Sequence, residues 1–277
     1  MMVVRPLDAS AEGWRIDRLL DDGIAIAAVL GGLTLLYLVW AGLAWRARAG
    51  RAEPRSSGSG ASWRGAAIPL VLTSAVFLLL DVKLFAVSTG DLVGTFLRAD
   101  EVERDPRAVR VEVNAQRWAW NVRYAGLDGR FATDDDVVSM NDLRLPVDRP
   151  VVVELASSDV VHSFYLPSFR IKLDAVPGRI HRTWFRPVRT GTYEIACAQH
   201  CGVMHHRMRG TVTVVSVGDF GRWVAAGSRD ALRIATEDAR AVAEEPTRAP
   251  EPGQAPSIED APNARRWGWP WRGGGVR

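Results

Sequence analysis

Cysteine is scarce, with two in 277 residues. At most one disulfide can form, so the chain is no cross-linked scaffold and draws its stability from an apolar core or from a membrane. A strong charge bias is lacking too: 35 Lys and Arg stand against 32 Asp and Glu, which gives no electrostatic case for a nucleic-acid partner. No Cys-x-x-Cys-His run is present, so no c-type haem is attached to this chain. Glycine and proline lack the density and period of a collagen-like chain, and 47% hydrophobic residues exclude a wholly disordered one.

Charge is also missing locally. From Gly23 to Trp45 there are 23 residues without one. At roughly 1.5 Å per residue, a helix of that length crosses a bilayer core of roughly 30 Å. The stretch is too long for the apolar part of a signal peptide, and Asp21 and Asp22 precede it where positive charge would belong. A second apolar run goes from Gly65 to Leu80 and on to about Val87, interrupted by Asp81 and Lys83. Lys83 can extend its ammonium to the interface; Asp81 either faces a partner helix or ends the span. Between the runs, residues 46–64 carry Arg46, Arg48, Arg51, Arg55 and Arg64 against Glu53, and short arginine-rich loops stay in the cytoplasm. The expected plan is an extracytoplasmic segment 1–22, a transmembrane helical hairpin over 23–88, and everything after it outside the cytoplasm.

Beyond the hairpin the pattern changes period. Residues 108–113 alternate apolar and polar, and 117–124, 151–155, 179–185, 192–196 and 211–216 are short and rich in Val, Ile, Thr and aromatics. Short β-like segments parted by Gly, Pro and Asp predict an all-β sandwich or barrel over 106–217. A polar helical extension is expected over 218–245, and a tail without fixed structure over 246–277, where Trp267, Trp269 and Trp271 lie among Pro, Glu, Arg and Gly.

The chemistry is concentrated in Cys197-Ala-Gln-His-Cys201-Gly-Val-Met-His205-His-Arg-Met208, with His162 35 residues upstream of Cys197. Thiolate, imidazole and thioether together favour copper over hard cations, and the thioether argues against zinc. Zinc held by two Cys and two His remains chemically open, as does a small disulfide between Cys197 and Cys201 in an oxidising compartment. A disulfide would leave His205 and Met208 without a role. His181, His200 and His206 are read as structural.

These residues resemble a family. The loop Cys-x-Gln-x-Cys-Gly-x-x-His-x-x-Met, the upstream Asp159-Val-Val-His162-Ser-Phe with its following Leu-Pro-Ser-Phe-Arg-Ile-Lys-Leu-Asp-Ala-Val-Pro-Gly-Arg, and Gln116-Arg-Trp118-Ala-Trp120 are similar to subunit II of cytochrome c oxidase over residues 20 to 225. The resemblance implies a membrane-anchored protein of the bacterial inner membrane, multi-pass, with a cupredoxin-like Greek-key β-sandwich on the periplasmic side. It also implies a dinuclear copper centre, CuA. That centre takes electrons from cytochrome c and passes them to haem in subunit I, where oxygen is reduced to water and protons are translocated.

Carried over by position, Cys197 and Cys201 bridge the two coppers, His162 and Met208 complete one, and His205 with the Gln199 carbonyl completes the other. Trp118 falls at the electron-entry position, and Trp120 lies nearer the metal. The alternative is a membrane-anchored copper electron carrier or copper-handling protein outside an oxidase.

Departures from the pattern carry information. The glutamate that helps the family bind magnesium or manganese is Gln199 here, and a neutral amide is a poorer ligand for a hard cation. Ser62 stands near the position of the family's proton-channel glutamate, so no channel is assigned. Electron donors of the family are commonly basic and meet an acidic surface, yet Arg110 to Val217 holds 14 Lys and Arg against 11 Asp and Glu. Asp134, Asp135 and Asp136 are the candidates for a local acidic patch.

Overall fold

The computed structural model describes residues 5–44 and 63–244. The arginine-rich loop up to Ser62 and the tail from residue 245 lie outside the described residues. The chain divides into a helical unit, Trp14–Thr95, and a β unit made of Met1–Gly13 with Phe96–Arg277.

In the helical unit, α1 (Gly13–Ala44) is 32 residues long. It starts ten residues before the charge-free stretch, because Ser10 Oγ accepts from the Gly13 N–H at 2.9 Å and so satisfies a helix-start donor. The second apolar run is one helical course. α2 (Trp63–Val76) passes through a π-helical turn at Phe77–Asp81 into α3 (Val82–Asp91), and a second π turn follows at Leu92–Phe96. Both helical courses are long and apolar enough to cross a membrane. Arg15 on α1 pairs with Asp91 at 2.5 Å, so the charged ends of the two courses neutralise each other.

The β unit is a sandwich of two five-stranded sheets. A short α4 (Ala99–Val102) precedes ten strands: β1 (Val109–Gln116), β2 (Ala119–Tyr124), β3 (Val137–Met140), β4 (Asp142–Pro146), β5 (Val151–Ser157), β6 (His162–Leu166), β7 (Ile171–Ala175), β8 (His181–Phe185), β9 (Gly191–Cys197) and β10 (Arg209–Val215). One sheet runs β3-β2-β1-β5-β8 and the other β4-β10-β9-β6-β7. β1 with β5 and β4 with β10 are parallel pairs. Between the sheets the alternating apolar residues interdigitate: Val111, Val113, Trp120, Leu143, Leu155, Phe164, Ile195 and Val212 are all fully buried.

Four strands carry no clear pattern in the sequence. β3 and β4 are four and five residues long and flank the tight turn at Asn141, while β6 and β7 mix buried apolar positions with His162, Ser163, Lys172 and Asp174. Two further pieces cover the sandwich. Residues 8–11 dock into it, with Ala9 N–H donating to the Ser168 carbonyl and Val188 N–H to the Ala9 carbonyl, both at 2.8 Å, and Ala9 is fully buried. α5 (Val217–Glu244) packs its apolar stripe on the β3–β4 side, where Trp223 meets Tyr124 edge-on at 4.9 Å.

Candidate metal centre

Backbone hydrogen bonds fix the ligand loop beside the start of β6 at one end of the sandwich. β9 ends at Cys197, and the chain returns at Met208 into β10, closing an eleven-residue excursion. Cys197 N–H donates to the Met208 carbonyl at 3.1 Å, and Ala198 N–H to the Ser163 carbonyl at 3.0 Å, which fixes the loop beside the start of β6. Within the loop a 3₁₀ turn at His205–Arg207 is anchored by His205 N–H on the Gly202 carbonyl. Gly202 has φ +126°, a conformation other residues adopt only with strain.

The donor atoms converge. Cys197 Sγ and Cys201 Sγ are 3.8 Å apart, far beyond the roughly 2.05 Å of a disulfide. His162 Nδ1 lies 3.1 Å from Met208 Sδ, and Met208 Sδ is 3.7 Å from Cys201 Sγ. His205 Nδ1 stands 3.7 Å from Cys201 Sγ, and the Gln199 carbonyl oxygen 3.1 Å from Cys197 Sγ. The ligand atoms of His162, Cys197 and Cys201 fall within 4.8 Å of one another. His162 and Met208 are buried to within one percent, so this end of the site is closed to water. The Gln199 side chain is exposed, so only its carbonyl enters the cluster.

The electrostatics suit soft-metal ligation. Burial pushes the Cys197 thiol up, but hydrogen bonding from His162, the Ser163 and Gln199 backbone and His205 outweighs it and leaves the pKa lowered. At Cys201 burial and the neighbouring Cys197 act together and raise it. One thiolate is thus formed readily and the second only with an incoming cation, which ties metal uptake to proton release.

Asp159 is the residue that spacing alone did not single out. Its Oδ1 accepts from His162 Nε2 at 2.8 Å, which turns Nδ1 toward the sulfurs. Its Oδ2 accepts from the backbone N–H and the Nε of Arg117, at 2.8 and 3.1 Å. Burial opposes ionisation of Asp159, but these donors bring its pKa down to about 2. An acidic residue three positions before a ligand histidine is the signal that could have found it.

Trp120 is fully buried with its ring 6.2 Å from His162 and 5.2 Å from Phe164. Trp118 is half-buried against Gly202. Of the other histidines, His200 stacks edge-on to His205 at 5.6 Å, His206 is exposed, and His181 Nδ1 bonds the Asp174 carbonyl on the neighbouring strand. The Asp134–Asp136 run lies in the β2–β3 connection, at the end of β2 away from the metal ligands. Asp135 is buried and Asp136 pairs with Arg123 at 3.6 Å, so this run is a folded loop rather than a docking patch beside the centre.

Comparison with known proteins agrees with this geometry. Residues 111–215 match the family model of the cytochrome c oxidase subunit II periplasmic domain. The alternative cytochrome c oxidase subunit 2 of Bradyrhizobium diazoefficiens is 40% identical over 139 residues, which cover 42% of this chain and 50% of that protein. Cytochrome c oxidase subunit 2 of Cereibacter sphaeroides is 27% identical over 231 residues, covering 73% and 71%. A crystal structure of the periplasmic domain of subunit II of cytochrome oxidase of Bradyrhizobium japonicum aligns with TM-score 0.40 at 26% identity, over 44% of this chain and 94% of that one. The chain spans about half the length of the first curated relatives it matches. Over residues 111–215, then, the chain is similar to the periplasmic domain of cytochrome c oxidase subunit II.

Proposed function

We propose that the chain is the electron-entry subunit of a haem–copper oxidase, held in the membrane by its two apolar helices with the β unit on the periplasmic side. In this reading it takes electrons from a soluble donor at a dinuclear CuA centre and hands them to haem in subunit I, for oxygen reduction coupled to proton translocation. The observation that carries it is the convergence of two thiols 3.8 Å apart with two imidazole Nδ1 atoms, a thioether and a carbonyl oxygen.

That donor set suits soft copper ions, which when bound would supply a one-electron carrier. Cys197 and Cys201 would hold both metals, His162 and Met208 one of them, and His205 with the Gln199 carbonyl the other. The protein's own part is rigidity. The ligands sit on the ends of β6 and β9 and on a loop pinned by backbone hydrogen bonds, so they would be held in place whatever the charge of the metal. Asp159 holds the His162 ring in place, and buried Trp120 and Phe164 pack beside it and exclude water. Trp118 and Trp120 lie on the side through which the electron would enter. Gln199 offers no carboxylate for magnesium or manganese, so the reading includes no such site from this chain.

The test is metal stoichiometry and electron paramagnetic resonance on the full chain in detergent after copper loading. Two coppers sharing one unpaired electron support the reading; one copper with a mononuclear spectrum, or none bound, refutes it. Cys197→Ser and Cys201→Ser should each abolish the two-copper signal. Met208→Leu should retain both coppers and shift the potential, and total copper loss in that variant would contradict the ligand assignment.

A further inference from the structure

The end of the β unit that gathers the ligands also carries an open face. Val203 is 86% exposed, and Met204 beside it is exposed too. The backbone of Gly202 rests on its neighbours so closely that a Cβ there would stand 3.4 Å from Trp118 and 3.7 Å from Arg117 Cδ. Arg117, Trp118, Gly202, Val203 and Met204 therefore form one continuous patch, apolar in the middle, over buried Cys201 and Met208.

Beyond its internal pairs, its charge has one sign. The segments at this end, 116–119, 140–142, 157–161, 176–180 and 198–208, contain three arginines, Arg117, Arg179 and Arg207, and two carboxylates, Asp142 and Asp159. Both carboxylates are already engaged, Asp142 by Arg144 and Asp159 by Arg117 and His162. Arg179 and Arg207 are exposed, and the acidic Asp134–Asp136 run belongs to the other end of the sandwich. A basic carrier would meet like charge here, whereas an acidic one would be steered in.

We propose that this face docks a soluble one-electron carrier whose own docking surface is acidic around an apolar cofactor edge. The inference rests on the reading above, in which a copper centre lies beneath the patch. On contact the reduced carrier loses one electron and the centre gains it. No covalent bond forms or breaks.

The test uses the full chain in detergent, with and without copper, and two probes of similar potential: a soluble acidic c-type cytochrome and a soluble basic one. Association is followed on the immobilised chain, and electron transfer by stopped flow on the copper-loaded chain. The acidic probe should associate with both forms, at least about tenfold faster at low than at high ionic strength, and should reduce the loaded chain faster than the basic probe does. Arg207→Glu and Val203→Asp should each slow the acidic probe, and Arg207→Glu should speed the basic one. Faster association of the basic probe with a rate that falls with salt overturns the proposal. So do unchanged rates in both variants, the result expected if the carrier docks elsewhere on the chain. Association does not require copper. A chain that docks the acidic probe but never forms a two-copper spectrum therefore refutes the proposed function and leaves the docking face standing.

Discussion

At the scale of single residues, a neutral-looking histidine becomes a directed ligand because a carboxylate holds its far nitrogen. His162 is fully buried, and without Asp159 its ring could turn about χ2 and lose its aim at the sulfurs. Removing a group that orients a ligand histidine typically costs about 10–100-fold in metal affinity. Asp159→Ala should therefore weaken copper retention by about that factor, measured by competition with a chelator, while Asp159→Asn, which can still accept from Nε2, should fall between. An affinity equal to that of the unaltered chain would show that packing alone orients the ring. The copper ligands themselves are legible in the sequence, because soft donors at such short spacing have few other uses. Asp159 is less so, since its role depends on the rotation of a ring that only the fold defines.

Elements differ in how far their sequence announces them. β1 alternates apolar and polar, yet five consecutive residues of it are buried, while β5 opens on three valines and is buried at every position but Glu154. β6 and β7 are hidden in the sequence because function and solvent occupy positions that a simple strand would give to valine, among them His162, Ser163 and Lys172. The docking of residues 8–11 could not be read at all, being three backbone hydrogen bonds made across more than 150 residues. α5 is the clearest amphipathic helix, and its fit is specific. Trp223 meets Tyr124 edge-on and lies under Arg144, while a Cβ on Gly227 would come within 2.8 Å of Val137. Trp223→Ala should cost about 2 kcal/mol, less than full burial of a tryptophan implies because the ring is only partly covered. Gly227→Leu should lift the helix, exposing 217–244 to protease while the two-copper spectrum persists. Loss of copper in that variant would mean that α5 supports the ligand loop as well as the β3–β4 side.

Across the whole molecule, one buried charge cluster lies away from the ligand end, so pH also acts on stability at a place separate from the chemistry. Arg123 is buried on the outer face of the β3-β2-β1-β5-β8 sheet, hydrogen-bonded to Glu112 and facing Asp136 at 3.6 Å, with the Phe131 ring 5.8 Å away. Two carboxylates share one guanidinium in a place poor in water. Burial outweighs Arg123 at Glu112, whose pKa is raised, and it also pushes Asp136 up to about 6 from an ordinary 3.8. The sign follows from proton binding. Between about pH 4 and pH 6 the folded protein holds more of the Asp136 proton than the unfolded chain does, so stability falls as pH rises through that window and levels off above it. Asp136→Asn removes this contribution. The denaturation midpoint of the unaltered chain, taken relative to the variant, should thus be higher at about pH 4 than at about pH 7, with the change complete by about pH 7. A difference that stays constant with pH would mean that Arg123 fully compensates the buried carboxylate, and that the unfavourable ionisation of this pair rests on Glu112 alone.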